Sequence, residues 1–162
     1  MYRKFVQLGE NVLIKKINIA DPQIAEEVLS VQIPSYEAEA ELINFYNLPP
    51  LKDTIKSLKQ SGETFYGYYI NDILSGVISF KIENNILDIH RLFVHPGHFR
   101  KGIANYLLEY VQVNEKDFDM ITVSTGSKNV PAINFYKKSG FIKNKEIIVD
   151  DGLSLAILEK RI

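Results

Sequence analysis

Apolar positions along this chain change their spacing several times, and each change marks a new element. Val12 to Ile19 is rich in β-branched residues and reads as a strand. Asp21-Pro22 then supplies an N-cap and a proline suited to the first helical position. Ile24, Val28 and Val31, with Leu29, recur at helical spacing. Pro34 is expected to interrupt that helix, and a second apolar set (Ala38, Ala40, Leu42, Ile43, Phe45, Tyr46) leads to Pro49-Pro50. Leu51 to Gln60 is expected to add one more short helix, closed by Ser61-Gly62.

The middle of the chain reads as a meander of three strands, Thr64 to Ile70, Ile73 to Ile82 and Ile86 to Val94. Asn71-Asp72 and Asn84-Asn85 separate them, and these residues tolerate the positive φ of tight hairpins. After Val94 the period lengthens: Ile103, Leu107 and Val111, with Ala104 and Leu108, mark one face of a helix. A strand at Met120 to Thr125, a helix at Val130 to Ser139 ended by Gly140, and strands near Phe141 to Val149 and Leu153 to Glu159 follow.

The resulting order is β-α-α-β-β-β-α-β-α-β-β. It predicts an α/β (α+β) fold with a mixed, mostly antiparallel twisted sheet of about seven strands and about four helices. The strand ending at Val94, the helix after it and the strand at Met120 form a β-α-β unit, so those two strands should be parallel with a right-handed crossover. That puts the loop from Val94 to Gly102 at the carboxyl end of a strand, where ligands are usually held.

Composition narrows the function. The 162 residues are 46% hydrophobic, which suits one domain spanning 1–162. Nineteen basic against twenty acidic residues leave a net charge of −1, so the basic field of a nucleic-acid binder is missing. The absence of cysteine fits a reducing compartment, with cytoplasm as the expected location. Met1 to Glu10 has no apolar run of signal-peptide length, and no long apolar stretch predicts a membrane span. Charge is also unevenly placed. Ile17 to Leu51 carries six acids and no lysine or arginine, whereas all three histidines fall between positions 90 and 98, beside Arg100 and Lys101.

His95 to Ala104 reads HPGHFRKGIA. Gly97 and Gly102 permit close backbone approach, Arg100 and Lys101 supply positive charge, and the helix that follows points free N–H groups outward, so a pyrophosphate would fit. An ordinary strand-to-helix turn with solvated basic residues would look the same. A Walker loop is excluded because Ile103 and Ala104 follow the last glycine, and a G-x-G-x-x-G fingerprint is absent.

The loop resembles that of the GCN5-related N-acetyltransferase (GNAT) family, whose members carry Gln/Arg-x-x-Gly-x-Gly/Ala after a strand ending like Leu92-Phe93-Val94. Here the segment is Phe99-Arg100-Lys101-Gly102-Ile103-Ala104; the glycine and alanine match, while Phe99 stands where Gln or Arg is usual. Asn129 to Phe141, NVPAINFYKKSGF, is similar to the family's second motif. The resemblance implies a GNAT-like fold with the β-α-β unit at the coenzyme site. Acetyl-CoA would be the cosubstrate, held by Leu92, Phe93 and Val94, by Phe99 to Ala104, and by Asn129 and Tyr136. It further implies that Tyr136 serves the departing thiolate, a phenol with pKa near ~10 being able to donate a hydrogen bond or a proton, and that the Val94 N–H faces the thioester oxygen.

The acceptor amine must lose a proton, so a base is expected, and the resemblance implies the strand before the loop, where Asp88 stands at the place of a catalytic glutamate in the family's histone-acetylating branch. Asp88, His90, Leu92 and Val94 should share one face by period two. Asp88 is the first candidate and His90 the second. His90 and His95 should face opposite ways, so no metal is expected. Tyr36, Glu37 and Glu39, in the acidic aromatic stretch, are candidate acceptor-binding residues for a small cationic amine or a peptide amine. The expected state is a monomer or homodimer, and a non-catalytic acyl-CoA sensor on the same fold is the alternative to an enzyme.

Overall fold

The computed structural model describes residues 2–7, 10–150 and 152–162. Part of the Met1 to Glu10 stretch read above for a leader therefore lies outside the described residues. Eight strands form one sheet in the order β1-β2-β3-β4-β5-β6-β8-β7. They are β1 (Tyr2–Gln7), β2 (Glu10–Ile17), β3 (Thr64–Ile70), β4 (Ile73–Glu83), β5 (Ile86–Val94), β6 (Met120–Gly126), β7 (Ile142–Asp150) and β8 (Leu153–Arg161). The mixed α/β architecture is the one expected, and β1 is the strand beyond the expected seven. All pairings are antiparallel except β5 with β6.

The hairpins follow from local chemistry. Asn71 and Asp72 take φ of 49° and 67°, and Asn84 and Asn85 take 53° and 63°, the left-handed pair that a two-residue turn between twisted strands requires. Gly140, φ 96°, stops the helix α4 (Val130–Lys138) in the same region.

Helix α1 (Pro22–Ile43) starts as expected, with Asp21 accepting from the Gln23 N–H. It does not break at Pro34. A proline inside a helix costs roughly 3 kcal/mol, but residues on both sides of it are buried: Ala25, Val28 and Val31 in one apolar cluster, Ala40 and Ile43 in another. Each large aliphatic side chain so buried contributes about 1.5–3 kcal/mol, so tertiary packing outweighs the local cost. The helix expected over Leu51 to Gln60 is split into a 3-10 turn at Pro49–Lys52 and a short α2 (Ile55–Lys59). Thr54 divides them by capping α2 reciprocally with Ser57.

The sheet buries both faces. Val12, Ile14, Ile78 and Leu87 lie with Leu107 and Val111 of α3 (Ile103–Asn114) on one side, while Phe65, Val77 and Phe93 lie with Val28 and Val31 of α1 on the other. Beneath α1 sits a polar network. Arg91 of β5 donates to both carboxylate oxygens of Glu63, at 2.9 and 3.2 Å, and to Asp53 and Gln32. Gln32 in turn donates to the Pro50 carbonyl at 2.9 Å and to Asp53. Burial alone would raise both carboxyl groups. Hydrogen bonds from Arg91 and Ser79 to Glu63, and from Ser57 and Arg91 to Asp53, outweigh burial and hold both below their usual range.

Groups depressed in this way stabilise the fold above their unfolded pKa values, and that stabilisation is lost as the pH falls below about 4. Arg91→Met strands a buried carboxylate and should cost about 3–5 kcal/mol in urea unfolding at pH 7. Because the variant has already lost the network, its stability should differ less between neutral and acidic pH than that of the wild type.

Candidate functional site

Strands β5 and β6 pair only from Ile86–Ile89 against Met120–Val123. Beyond that point β6 continues against β8 and β5 continues against β4, so a gap opens between them. The cause lies on β5. Ser79 faces Arg91 and Phe80 faces Ile89, which leaves His90 as an extra residue in the ladder. Such a bulge bends its strand and disrupts pairing locally.

The bulge also changes which side chains share a face. Leu87 and Ile89 before it and Leu92 and Val94 after it pack with the α3 cluster, whereas Phe93 packs beneath α1. The single face expected for Asp88, His90, Leu92 and Val94 therefore does not form, because period two holds only in an unbulged strand. Asp88 and His90 pair with each other at 3.4 Å, and His90 also lies 3.7 Å from Glu63. The His90 imidazole is raised, first by its hydrogen bond to Asp88, then by the charge of Glu63, with burial and Lys81 opposing.

A cavity of about 600 Å³ lies along β5 beyond the end of its pairing with β6, with Asn129 and α4 among its other walls. Leu92, Phe93 and Val94 form its floor; Asp88 and His90 are not among its lining residues. His95 donates its backbone N–H to Ser75 at 2.9 Å, toward β4. Backbone groups alternate along a strand, so the Val94 N–H points the other way, into the gap.

At one end the cavity meets the start of α3. The first helical bond runs from the Tyr106 N–H to the Gly102 carbonyl, so the N–H groups of Ile103, Ala104 and Asn105, all lining the cavity, are free of intrahelical partners. Gly102, φ 76°, is the N-cap, and Arg100 adopts φ 65° just before it. Phe99, Arg100 and Gly102 line the cavity, while Lys101 is not part of that lining and places its ammonium 3.1 Å from His98 Nδ1. Gly97 stays within the loop, its N–H bonded to His95 Nδ1 at 3.0 Å. A glycine not singled out from the sequence, Gly76 of β4, seats the helix. A Cβ there would lie 2.7 Å from the Ile103 side chain and 3.3 Å from the Phe93 carbonyl.

At the other end Tyr136 is buried between Phe135 and Phe141, ring centroids 5.1 and 5.3 Å away. From α1, Ser35, Tyr36, Ala38, Glu39 and Leu42 reach the cavity. Glu37 is exposed and absent from that wall, since residues two apart on a helix point to different sides. Of the acceptor residues expected from sequence, Tyr36 and Glu39 are thus brought together with Tyr136 and Glu37 is not.

Comparison with known proteins places this architecture. A model of the acetyltransferase (GNAT) domain matches residues 31–162. The chain belongs to the GNAT acetyltransferase family. It is 39% identical over 145 residues to UPF0157 protein YqkA of Bacillus subtilis, covering 90% of this chain and 42% of that protein. It is 33% identical over 79 residues to the streptothricin acetyltransferase of Escherichia coli, covering 47% and 45%. The chain thus spans less than half the length of the curated relatives it matches. The crystal structure of PaiA N-acetyltransferase from Thermoplasma acidophilum, in complex with coenzyme A, superposes with a TM-score of 0.74 at 23% identity, covering 93% of this chain and 99% of that one.

In this GNAT chain Asn129 has two fixed tasks. Its Oδ1 accepts from the Ala132 N–H at 3.2 Å, capping α4, and its Nδ2 donates to Glu39 Oε1 at 2.8 Å. Burial raises the Glu39 carboxyl, and the Asn129 bond opposes the rise without cancelling it. Burial also raises both phenols, with the Glu39 charge adding in each case, so Tyr36 and Tyr136 stay protonated. Four residues beyond Glu39 on α1, Ile43 lines a second cavity of about 540 Å³ with Gly126, Ser127, Lys128 and the β7–β8 turn. No helix among the described residues is long and apolar enough to cross a membrane.

Gly76→Ala should be destabilising by about 1–3 kcal/mol in urea unfolding, because Ile103 is buried and cannot yield without moving the start of α3. Gly97→Ala, whose Cβ would meet only the His95 ring at 3.2 Å, should cost less.

Proposed function

We propose that residues 1–162 act as one acetyltransferase domain that binds acetyl-CoA and passes the acetyl group to a primary amine by direct attack. The observation that carries this reading is one continuous cavity, running from the unpaired N–H groups of α3 to the Tyr136 side chain through the β5–β6 gap. The diphosphate of the coenzyme would rest on the backbone of Gly102 to Asn105, with Arg100 adding charge. Its pantetheine arm would pair with the β5 edge at Leu92 to Val94 as a neighbouring strand does. That course brings the thioester beneath Tyr136, with the Val94 N–H placed for the carbonyl oxygen as it gathers charge.

Tyr136 would then stabilise the leaving sulfur. A thiol titrates near ~8.5 and an ordinary phenol near ~10, and burial moves this phenol further up. Tyr136 therefore keeps its proton and hydrogen-bonds the thiolate instead of ionising. The acceptor would be a small cationic amine: Glu39 supplies negative charge and Tyr36 an aromatic face. The similarity to a streptothricin acetyltransferase supports a small basic molecule over a peptide. A cysteine-free chain also suits a reducing, cytoplasmic setting.

Tyr136→Phe should lower kcat by about 10²-fold while leaving the coenzyme Kd within about threefold, read from thiol release and calorimetry. Equal loss of both would remove the role given to the phenol. In an acceptor panel, amines carrying a second positive charge should be turned over better than neutral ones, and a preference for neutral or anionic acceptors would overturn the assigned substrate class. Coenzyme binding without thiol release for any amine would identify an acyl-CoA sensor.

A further inference from the structure

With Asp88 and His90 outside the cavity, the group that relieves the acceptor amine of its proton has to come from another element. We infer that Glu39 is the proton acceptor of the transfer step, and that Asn129 is the positioning residue that aims it. This inference rests on the acetyl-transfer reading above and adds the catalytic base to it.

The geometry leaves one orientation. Asn129 Oδ1 is committed to the Ala132 N–H at the start of α4. The amide therefore cannot flip without uncapping the helix, and its Nδ2 must face Glu39, which it meets at Oε1 at 2.8 Å. Asn129 is itself buried, at 7% exposure, so this pairing is sheltered from competing water. Only one Glu39 oxygen is taken. Among the described residues Oε2 has no hydrogen-bond partner, and Glu39 lines the same cavity as the phenols of Tyr36 and Tyr136. No lysine or arginine lines that end, Arg100 being at the α3 end. A carboxylate with one oxygen anchored and one open can receive a proton and release it again.

Position on α1 places the pair beside a second cavity. Glu39 and Ile43 are one helical turn apart, and face the coenzyme cavity and the second cavity respectively. Gly126, which lines the second cavity, would place a Cβ 3.4 Å from Ile43 and 4.0 Å from the Asn129 Cβ.

The step balances without a further reactant. The attacking amine gives up its ammonium proton to solvent on entering; its nitrogen lone pair then attacks the thioester carbon and the C–N bond forms. The C–S bond breaks with its electron pair passing to sulfur, where Tyr136 donates a hydrogen bond. The proton released from nitrogen passes to Glu39 Oε2, and from there to water once the amide departs. Burial raises the carboxyl, which makes it a better receiver for that proton than an exposed acid would be.

Glu39→Gln keeps the shape of the side chain and the oxygen that Asn129 holds, so the fold and the coenzyme pocket should survive. The expected result is a loss of kcat of about 10²-fold or more on the best acceptor of an alkyl diamine and lysine-ester panel, with the calorimetric Kd for acetyl-CoA within about threefold of wild type. In Glu39→Ala, added formate should restore at least about tenfold of the lost turnover, while chloride at equal ionic strength restores none. A Glu39→Gln enzyme retaining more than about a fifth of wild-type kcat would overturn the assignment, as would failure of formate to rescue. Wild-type protein that releases no thiol with any amine of the panel would instead bring down the acetyl-transfer reading itself.

Discussion

A central strand normally has both hydrogen-bonding edges occupied, and β5 departs from that at a single residue. His90 adds one position to the ladder with β4, and parallel pairing with β6 stops at Ile89. Every feature of the site follows from this separation. An extended stretch of backbone from Leu92 to Val94 faces a gap instead of a strand, and α1 and α4 can reach into that gap from its two sides. Were β5 and β6 paired along their whole lengths, the space for a coenzyme arm would be filled by protein hydrogen bonds. The exposed edge is tolerated because it lies inside the molecule, where another strand cannot approach it.

The gap is useful only if its two ends are fixed, and different forces fix them. At the α3 end the fixing is steric. Gly76 has no side chain, so Ile103 and the Phe93 carbonyl come within a distance that any Cβ would forbid, and the helix start is pressed against the sheet. At the α1 end the fixing is polar. Arg91 ties Glu63, Asp53 and Gln32 together beneath the helix, and Phe93, two residues along β5, packs against Tyr36 at 5.7 Å between ring centroids. The position of the α1 wall at Tyr36 is thereby coupled to the same strand that floors the cavity.

Local chemistry made much of this legible in advance. Asn71-Asp72 and Asn84-Asn85 announced their hairpins because a left-handed pair is a property of those residues, and Gly102 and Gly140 marked helix ends for the same reason. Tertiary effects were not legible. Pro34 reads as a helix break in a chain whose neighbours' burial is unknown, and the extra strand β1 had no announced alternation. The bulge was the costliest omission: counting by twos from Val94 passes through His90 as if the strand were regular, and so assigns Asp88 to the wrong face. Glu39 was visible only as one acid among several, since nothing in the run of Glu37, Glu39 and Glu41 says which one α1 turns inward.

Burial acts on Tyr136 and Glu39 in the same sense, yet it would suit them to the opposite tasks proposed for them. Removing either from water disfavours its charged form and raises its pKa. For a phenol that already titrates far above neutrality, a further rise keeps the proton in place, so in the proposed reaction the group would remain a donor and not compete as a base. For a carboxyl that titrates far below neutrality, the rise moves it toward neutral pH, so that accepting a proton becomes less unfavourable. Asn129 limits the second effect by bonding the charged form, which favours the carboxylate. On the proposed reading, one cavity would hold a hydrogen-bond donor for sulfur and a proton acceptor for nitrogen, provided the two groups begin on opposite sides of neutral pH.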